Sequence, residues 1–292
     1  MNDLSKRLLV ALIGIPISIY LVLTGGIPFT SVIAILSSIT LWEFYKLNIK
    51  KSVFPHVKFG ITVNIIIIIG IYYSITYPLL ISNFVVVIFV LCLIALIGLS
   101  LSLWSKNPNP MMNFAVTISG LLYVTFSFSF VILLREFFAS ETQSNSHINS
   151  HTSALILLCT IFSIWICDSA AYFVGKSIGK NKLFPSVSPK KTWEGSIGGF
   201  AGAILSMIGF SYIPFLLSAF PITHSIAIGV IVGIVGQIGD LAESKLKRDA
   251  DVKDSSSLLP GHGGALDRFD SILFVIPTVF IYLYIVFIIL GK

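Results

Sequence analysis

Long apolar runs without a single charge, separated by short polar stretches, set the pattern of this chain. Six stretches contain no Asp, Glu, Lys or Arg: 8–42, 59–105, 107–134, 142–167, 195–239 and 271–291, which are 35, 47, 28, 26, 45 and 21 residues long. A helix needs about 20 residues to cross the hydrocarbon of a bilayer. Each run therefore accommodates one crossing, and three accommodate two. Those three carry a turn signal near the middle: Gly25-Gly26-Ile27-Pro28, Tyr77-Pro78, and Pro221 with Thr223 and His224 after it. The pattern predicts an all-α polytopic membrane protein of about nine transmembrane helices, with eight and ten as alternatives. The first pair is tight, so its second helix is expected to extend to Glu43. Segment 139–153 (ASETQSNSHINSHTS) reads as a polar loop, and neither an internal repeat nor a soluble domain is visible.

Composition agrees with the pattern. Hydrophobic residues make up 55% of the chain and charged residues 11%, with a mean hydropathy of +0.95. A soluble domain carries about a quarter charged residues, so the bilayer must be the solvent. The basic residues then orient the spans. A cytoplasmic N-terminus and nine crossings place Lys6, Arg7, Lys46, Lys50, Lys51, Lys58 and Lys106 on the cytoplasmic face. Five Lys between 176 and 191 join them, as do Lys245, Lys247, Arg248, Lys253 and Arg268. That is 17 of the 19 basic residues, leaving Arg135 and Lys292 outside with the C-terminus. The net charge of +6 is then mostly topology, with some attraction to anionic lipid, and no sign of nucleic-acid binding. Cys92, Cys159 and Cys167 fall inside predicted spans and form neither a disulfide framework nor a zinc spacing. The first apolar stretch reads as a retained helix rather than a signal peptide.

Nine of the thirteen acids lie between residues 168 and 270, and two predicted cytoplasmic loops, 176–195 and 240–270, hold most of them. The helix leaving the membrane at 239 presents Asp240, Glu243, Ser244, Lys247 and Arg248 on one face. A carboxylate beside hydrocarbon is costly unless it is paired or functional; a helix end laced with salt bridges is the plain alternative. Further on come Lys253-Asp254, three serines, Pro260-Gly261-His262-Gly263-Gly264 and Asp267-Arg268-Phe269-Asp270. Glycines let backbone N–H groups face phosphate oxygens. Carboxylates such as Asp267 and Asp270 suit magnesium, and cations suit the phosphates of a nucleoside triphosphate. The plain alternative is a tight turn with helix-capping aspartates. The other loop reads Ser188-Pro189-Lys190-Lys191-Thr192-Trp193-Glu194-Gly195. Its lysines fit an anionic headgroup or a triphosphate, or simply the positive-inside rule. Asp168 and Tyr172, four residues apart, end the preceding span.

These residues resemble the signature of the phosphatidate cytidylyltransferases, or CDP-diacylglycerol synthases. The match comprises Ser244, Lys247, Arg248, Lys253, Asp254, His262, Gly263, Gly264, Asp267, Arg268 and Asp270, the whole SPKKTWEG segment at 188–195, and Asp168, Ala171 and Tyr172. Ala265 departs from it, since the family usually has a larger aliphatic residue there. The resemblance implies transfer of the cytidylyl group of CTP to phosphatidate in the bilayer, giving CDP-diacylglycerol and pyrophosphate, with Mg2+ as cofactor. It leaves room for a second, monovalent cation and for a homodimer. It assigns Asp240 and Asp267 to the metal, with Asp270 beside them, and the holding of phosphates to Lys247, Arg248, Lys253 and Arg268. His262 becomes a phosphate donor or loop organiser, while Lys190 and Lys191 draw in the lipid phosphate. Ser188, Ser244, Asp254, Gly263 and Gly264 complete the expected binding set. Residues 1–292 then form one integral membrane domain, with N-terminal helices over 1–153 and catalytic helices over 154–292. It would sit in the cell (inner) membrane, its active site facing the cytoplasm. A CTP-dependent kinase of a lipid alcohol and, more distantly, an ion-coupled transporter are the rival readings.

Overall fold

The structure is a computed structural model that describes residues 3–49, 51–77, 84–103, 107–137, 150–213, 220–256 and 263–290. The described chain forms α1 (Asp3–Thr24), α2 (Gly26–Ile49), α3 (Val57–Thr76) and α4 (Phe84–Ser100), followed by α5 (Pro110–Glu136) and α6 (Ser150–Ile178). After a hairpin come α7 (Trp193–Ser211), α8 (Ile222–Asp249) and α9 (Leu266–Ile289). Six of these, α2, α3, α5, α6, α8 and α9, are long and apolar enough to cross a bilayer. The chain is thus a helical, multi-pass membrane protein. His262, Lys50, Lys106 and most of the polar 139–153 segment lie outside the described residues.

The predicted turns fall at helix boundaries. Gly25 and Gly26 separate α1 from α2, both at φ +64°, a left-handed conformation that costs glycine little. The turn after Thr76 ends α3, and Pro221 precedes α8 with the fixed φ that suits a helix start. The architecture is all-α as expected, with one local addition: the loop after α6 folds into an antiparallel hairpin of β1 (Lys182–Phe184) and β2 (Ser188–Thr192), pairing Lys182 with Thr192 and Phe184 with Ser188. α6 also continues past the end of its charge-free run to Ile178, and α8 to Asp249. Much of what reads as loop at 176–195 and 240–270 is therefore helix end.

Two clusters hold the helices together. In lipid, no hydrophobic gradient drives helices into contact, so small residues that let backbones approach do most of the work. Gly195, Gly199 and Gly202 of α7 face α6. A Cβ at Gly199 would lie 2.9 Å from both the Cys167 carbonyl oxygen and the Ala171 Cβ. Across the other side of α7, Gly229 and Gly233 of α8 meet Ile204 and Phe200. The Ser163 hydroxyl donates across to the Ala203 carbonyl at 3.1 Å. In the N-terminal half, α2, α3 and α5 close around Tyr45, which is fully buried and donates to the Thr117 carbonyl at 2.8 Å. Asn64 of α3 donates to Ser37 and Ser38 of α2 at 2.9 and 3.0 Å.

Arg135 explains one of the two exceptions in the charge pattern. It is 2% exposed and donates to the Val22 and Leu23 carbonyls at 2.5 and 3.0 Å. It thereby caps the negative end of α1. Its neighbour Glu136 accepts from the Gly26 N–H at 2.7 Å, at the positive end of α2. Adjacent residues of opposite charge thus secure both sides of the Gly25-Gly26 turn. Replacing Arg135 with Ala strands two carbonyls and an acidic neighbour, and should cost about 3 kcal/mol. Thermal unfolding of the detergent-purified variant checks this; an unchanged midpoint would show the cap to be dispensable.

Candidate active site

The hairpin, the ends of α6 and α8 and the start of α9 enclose a cavity of about 710 Å³. α6 contributes Asp168, Tyr172 and Lys176 from one helical face, since successive members are four residues apart. The hairpin adds Lys190 and Lys191, α8 adds Gln237, Asp240 and Lys247, and α9 adds Asp267, Arg268 and Asp270. Trp165, Ile164 and Ile272 give the wall an apolar stretch. A π-helical turn at Val232–Gly236 precedes the polar end of α8. Such turns leave carbonyls free for side-chain donors. Gln237 uses one, donating to the Gly233 carbonyl at 2.6 Å and to the Ser196 carbonyl at 3.0 Å, which locks α8 to α7.

Two lysines make three ion pairs at the cavity wall. Lys191 Nζ lies 2.5 Å from Asp240 Oδ2, tying β2 to α8. Lys247 Nζ lies 2.6 Å from Glu243 Oε2 and 2.7 Å from Asp267 Oδ1, so one ammonium serves two carboxylates on two helices. Glu243 is fully buried, and an uncompensated carboxylate there would be strongly unfavourable. Asp168 and Asp270 carry no such pair among the described residues. They lie close enough to Asp240 to repel it, with Lys191 the cation that offsets this on the Asp168 side.

Asp267 is held from several sides. It accepts from the Ser255 N–H and hydroxyl, both at 3.0 Å, and from the Gly264 N–H at 2.7 Å. The glycines make this wrap feasible. Gly263 sits at φ +78°, and a Cβ at Gly264 would fall 1.9 Å from Ser255 Oγ and 2.6 Å from Glu43 Oε2. Glu43, at the far end of the sequence, is fully buried against this same stretch. The SPKKTWEG segment has comparable local duties. The Thr192 hydroxyl accepts from the Gly195 N–H at 3.2 Å and caps α7. Glu194 accepts from the Asn181 side chain at 2.8 Å. Its own backbone N–H, and those of Asn181 and Lys180, hold its carboxyl below the usual carboxylate range.

Of the residues expected from sequence, Asp240, Lys247, Lys190, Lys191, Asp267, Arg268 and Asp270 line the cavity. Ser244 reaches Asp240 through a long contact of 3.4 Å, and Gly263 and Gly264 back Asp267. Others stand apart from the wall. Arg248 donates to the Val187 and Val252 carbonyls at 3.4 and 3.1 Å, bracing the hairpin. Ser188 pairs within the hairpin, and Lys253 and Asp254 are exposed. The expected role of His262 falls outside the described residues. Sequence reasoning passed over Glu43, Gln237 and Ser255, and it gave Glu243 no task beyond its place in the polar stripe. Glu43 carried one usable signal, being the charge that ends the first apolar run.

A comparison with known families decides the relationship. The profile of the cytidylyltransferase family matches residues 5–286, nearly the whole chain. This chain belongs to the cytidylyltransferase family. Among curated members, the phosphatidate cytidylyltransferase of Bacillus subtilis is 32% identical over 280 residues, covering 96% of this chain and 97% of its own length. The Staphylococcus aureus protein of that name is 34% identical over 274 residues, covering 93% and 95%. The Synechocystis one is 29% identical over 303 residues, covering 99% of each. The cytidylyltransferase match thus extends well beyond the polar motifs, through the N-terminal helices that hold Tyr45 and Arg135.

For this cytidylyltransferase, Gly264→Ala is a sharp probe of the packed turn. Its methyl group would collide with Ser255 Oγ and Glu43 Oε2, so the turn must move and carry Asp267 with it. A displacement of about 1 Å at a catalytic group costs on the order of 100-fold in rate. The expected outcome is folded protein with turnover reduced by about that factor. Near-normal turnover in a steady-state assay would show that the turn tolerates the shift.

Proposed function

We propose that the cavity transfers the cytidylyl group of CTP to phosphatidate, releasing CDP-diacylglycerol and pyrophosphate for phospholipid synthesis. The observation that carries this reading is one cavity lined by four aspartates and five cations, with an apolar stretch in the same wall. A phosphate monoester is already anionic near neutral pH, so the reaction needs no strong general base. The obstacle is repulsion between that anion and a polyanionic nucleotide. Catalysis is therefore charge neutralisation and in-line positioning.

Lys190 and Lys176 are the cations to receive phosphate oxygens at the cavity surface, and Arg268 of the same wall joins them by exchanging its present contacts. Lys191 and Lys247 serve the nucleotide by leaving their carboxylate partners. Magnesium fits the donor chemistry. No three acidic or imidazole groups form a ready cage among the described residues, but magnesium commonly takes one or two carboxylates together with waters and substrate phosphates. Asp240 and Asp270 would hold it, and Asp267 would join only by giving up Lys247. Once bound, the ion would offset the charge of the triphosphate and the departing pyrophosphate.

The same reading sets this site on the cytoplasmic face of the cell membrane, with nine crossings, the N-terminus inside and the C-terminus outside. The segregation of basic residues supports it, and Arg135 weakens it little because that side chain is a buried helix cap. Ser186→Cys and Lys245→Cys should both resist an impermeant thiol reagent in intact cells; labelling of either from outside overturns the orientation.

Incubation of purified protein with labelled CTP and phosphatidate should yield labelled CDP-lipid and unlabelled pyrophosphate when the label is on the α-phosphate. In a parallel incubation supplied with a lipid alcohol in place of phosphatidate, labelled CDP with a phosphorylated lipid alcohol would instead support the kinase. Asp240→Asn and Asp267→Asn should each lower turnover by about two orders of magnitude or more, with Asp251→Asn, exposed and off the cavity, as the active control. Both mutants turning over at normal rates would remove the metal and nucleotide assignment.

A further inference from the structure

Resting on the reaction proposed above, we infer that Glu43, on a helix with none of the signature residues, is a positioning residue for Asp267. It holds the Ser255–Ser256 and Gly264–Leu266 segments in place. Glu43 lies near the end of α2 and has no exposed surface. Its Oε2 accepts from the Leu266 N–H at 2.8 Å and the Ser255 hydroxyl at 3.1 Å, and its Oε1 accepts from the Ser256 hydroxyl at 2.6 Å. No Lys or Arg pairs with it among the described residues. A buried carboxylate without a cation is retained at a large desolvation cost, and among the described residues three donors compensate it, two serine hydroxyls before α9 and the first N–H of α9.

The geometry ties Glu43 to Asp267 through Ser255. The Ser255 hydroxyl stands 3.1 Å from Glu43 Oε2 and 3.0 Å from Asp267 Oδ2. One hydroxyl has one proton, so the two carboxylates compete for it, and the position of each depends on the other. Leu266 strengthens the link, because its N–H belongs to the first turn of α9 and Asp267 is the next residue. A carboxylate at this helix start also gains from the helix dipole. The side chain therefore fixes both the direction in which α9 begins and the angle at which Asp267 meets Lys247. Glu43 is too deep to touch a substrate in the cavity and is not among the residues that line it. Its action is through Asp267.

Four measurements on the intact chain test this. Glu43→Ala should lower kcat by about 100-fold, with KM for CTP and for phosphatidate little changed. Glu43→Gln keeps a carbonyl that accepts from Leu266 and Ser255, and the Ser256 hydroxyl can turn to accept from its amide. It should therefore recover most of the lost rate. In a double-mutant cycle, Glu43→Ala and Ser255→Ala should be strongly non-additive, as expected for residues acting through one contact. Hydrogen exchange, which needs no substrate, should show faster exchange at the Ser255 and Leu266 amides in Glu43→Ala, with the amides of α6 and α7 unaffected. A wild-type protein without cytidylyl transfer would sink the proposed reaction, and the exchange result would still decide whether Glu43 holds this segment. The inference is overturned by unaltered exchange at Ser255 and Leu266. It is also overturned by additive losses in the cycle, or by a Glu43→Ala protein that exchanges faster everywhere, which would make Glu43 a general stability residue.

Discussion

A buried charge beside hydrocarbon is costly unless a counter-charge or several hydrogen-bond donors meet it where it stands. The site is organised around that constraint, and its centre is Lys247. Its ammonium meets Glu243 on its own helix and Asp267 on the next. Without it, two carboxylates would face each other in a poorly solvated space, at a cost of several kcal/mol for a broken buried pair. The position of α9 relative to α8 follows from this contact, and the Lys191–Asp240 pair places the hairpin in the same way.

α2 extends this logic across the molecule. At one end its first N–H is held by Glu136, beside the Arg135 cap on α1. Towards the other end Glu43 receives the connection between α8 and α9, and Lys51 just beyond pairs with Asp249 at the end of α8. Between these points Tyr45 and Ser37 join it to α5 and α3. The helix without motifs is thus a strut between the two halves, made stiff by polar contacts that lipid cannot exchange for its own.

The parts of this arrangement that follow from periodicity were legible in the sequence. Charge-free runs and turn residues mark helix ends at Gly25-Gly26, Tyr77 and Pro221, since a bilayer punishes a misplaced charge and a proline fixes its own backbone. The convergence of Asp240, Lys247, Asp267 and Lys191 was readable because each lies in a short motif at the end of an apolar run. The hairpin was not, because Ser188-Pro189-Lys190-Lys191-Thr192 has no alternation and a single strand-forming residue, Thr192, which also caps α7. Glu43 was beyond reach for another reason. It lies more than 200 residues from Ser255, Ser256 and Leu266, and only tertiary packing shows that a glutamate beside a tryptophan is anything but a helix end. Arg248 and Lys253 illustrate the converse, since a polar motif specifies residue types and not which of them face the cavity.

The internal pairing of Lys191 and Lys247 also bears on which anions the cavity rewards. A ligand that attracts either ammonium leaves an aspartate bare, so its own negative charge is set against the one it uncovers. Inorganic phosphate or a simple acid gains little from that trade. An anion that arrives with its own counter-charge loses nothing, for it can satisfy lysine and aspartate at once. On the proposed reading, the resting ion pairs would act as a filter at Lys191 and Lys247, where an anion that brings its own cation has an advantage over one that brings none.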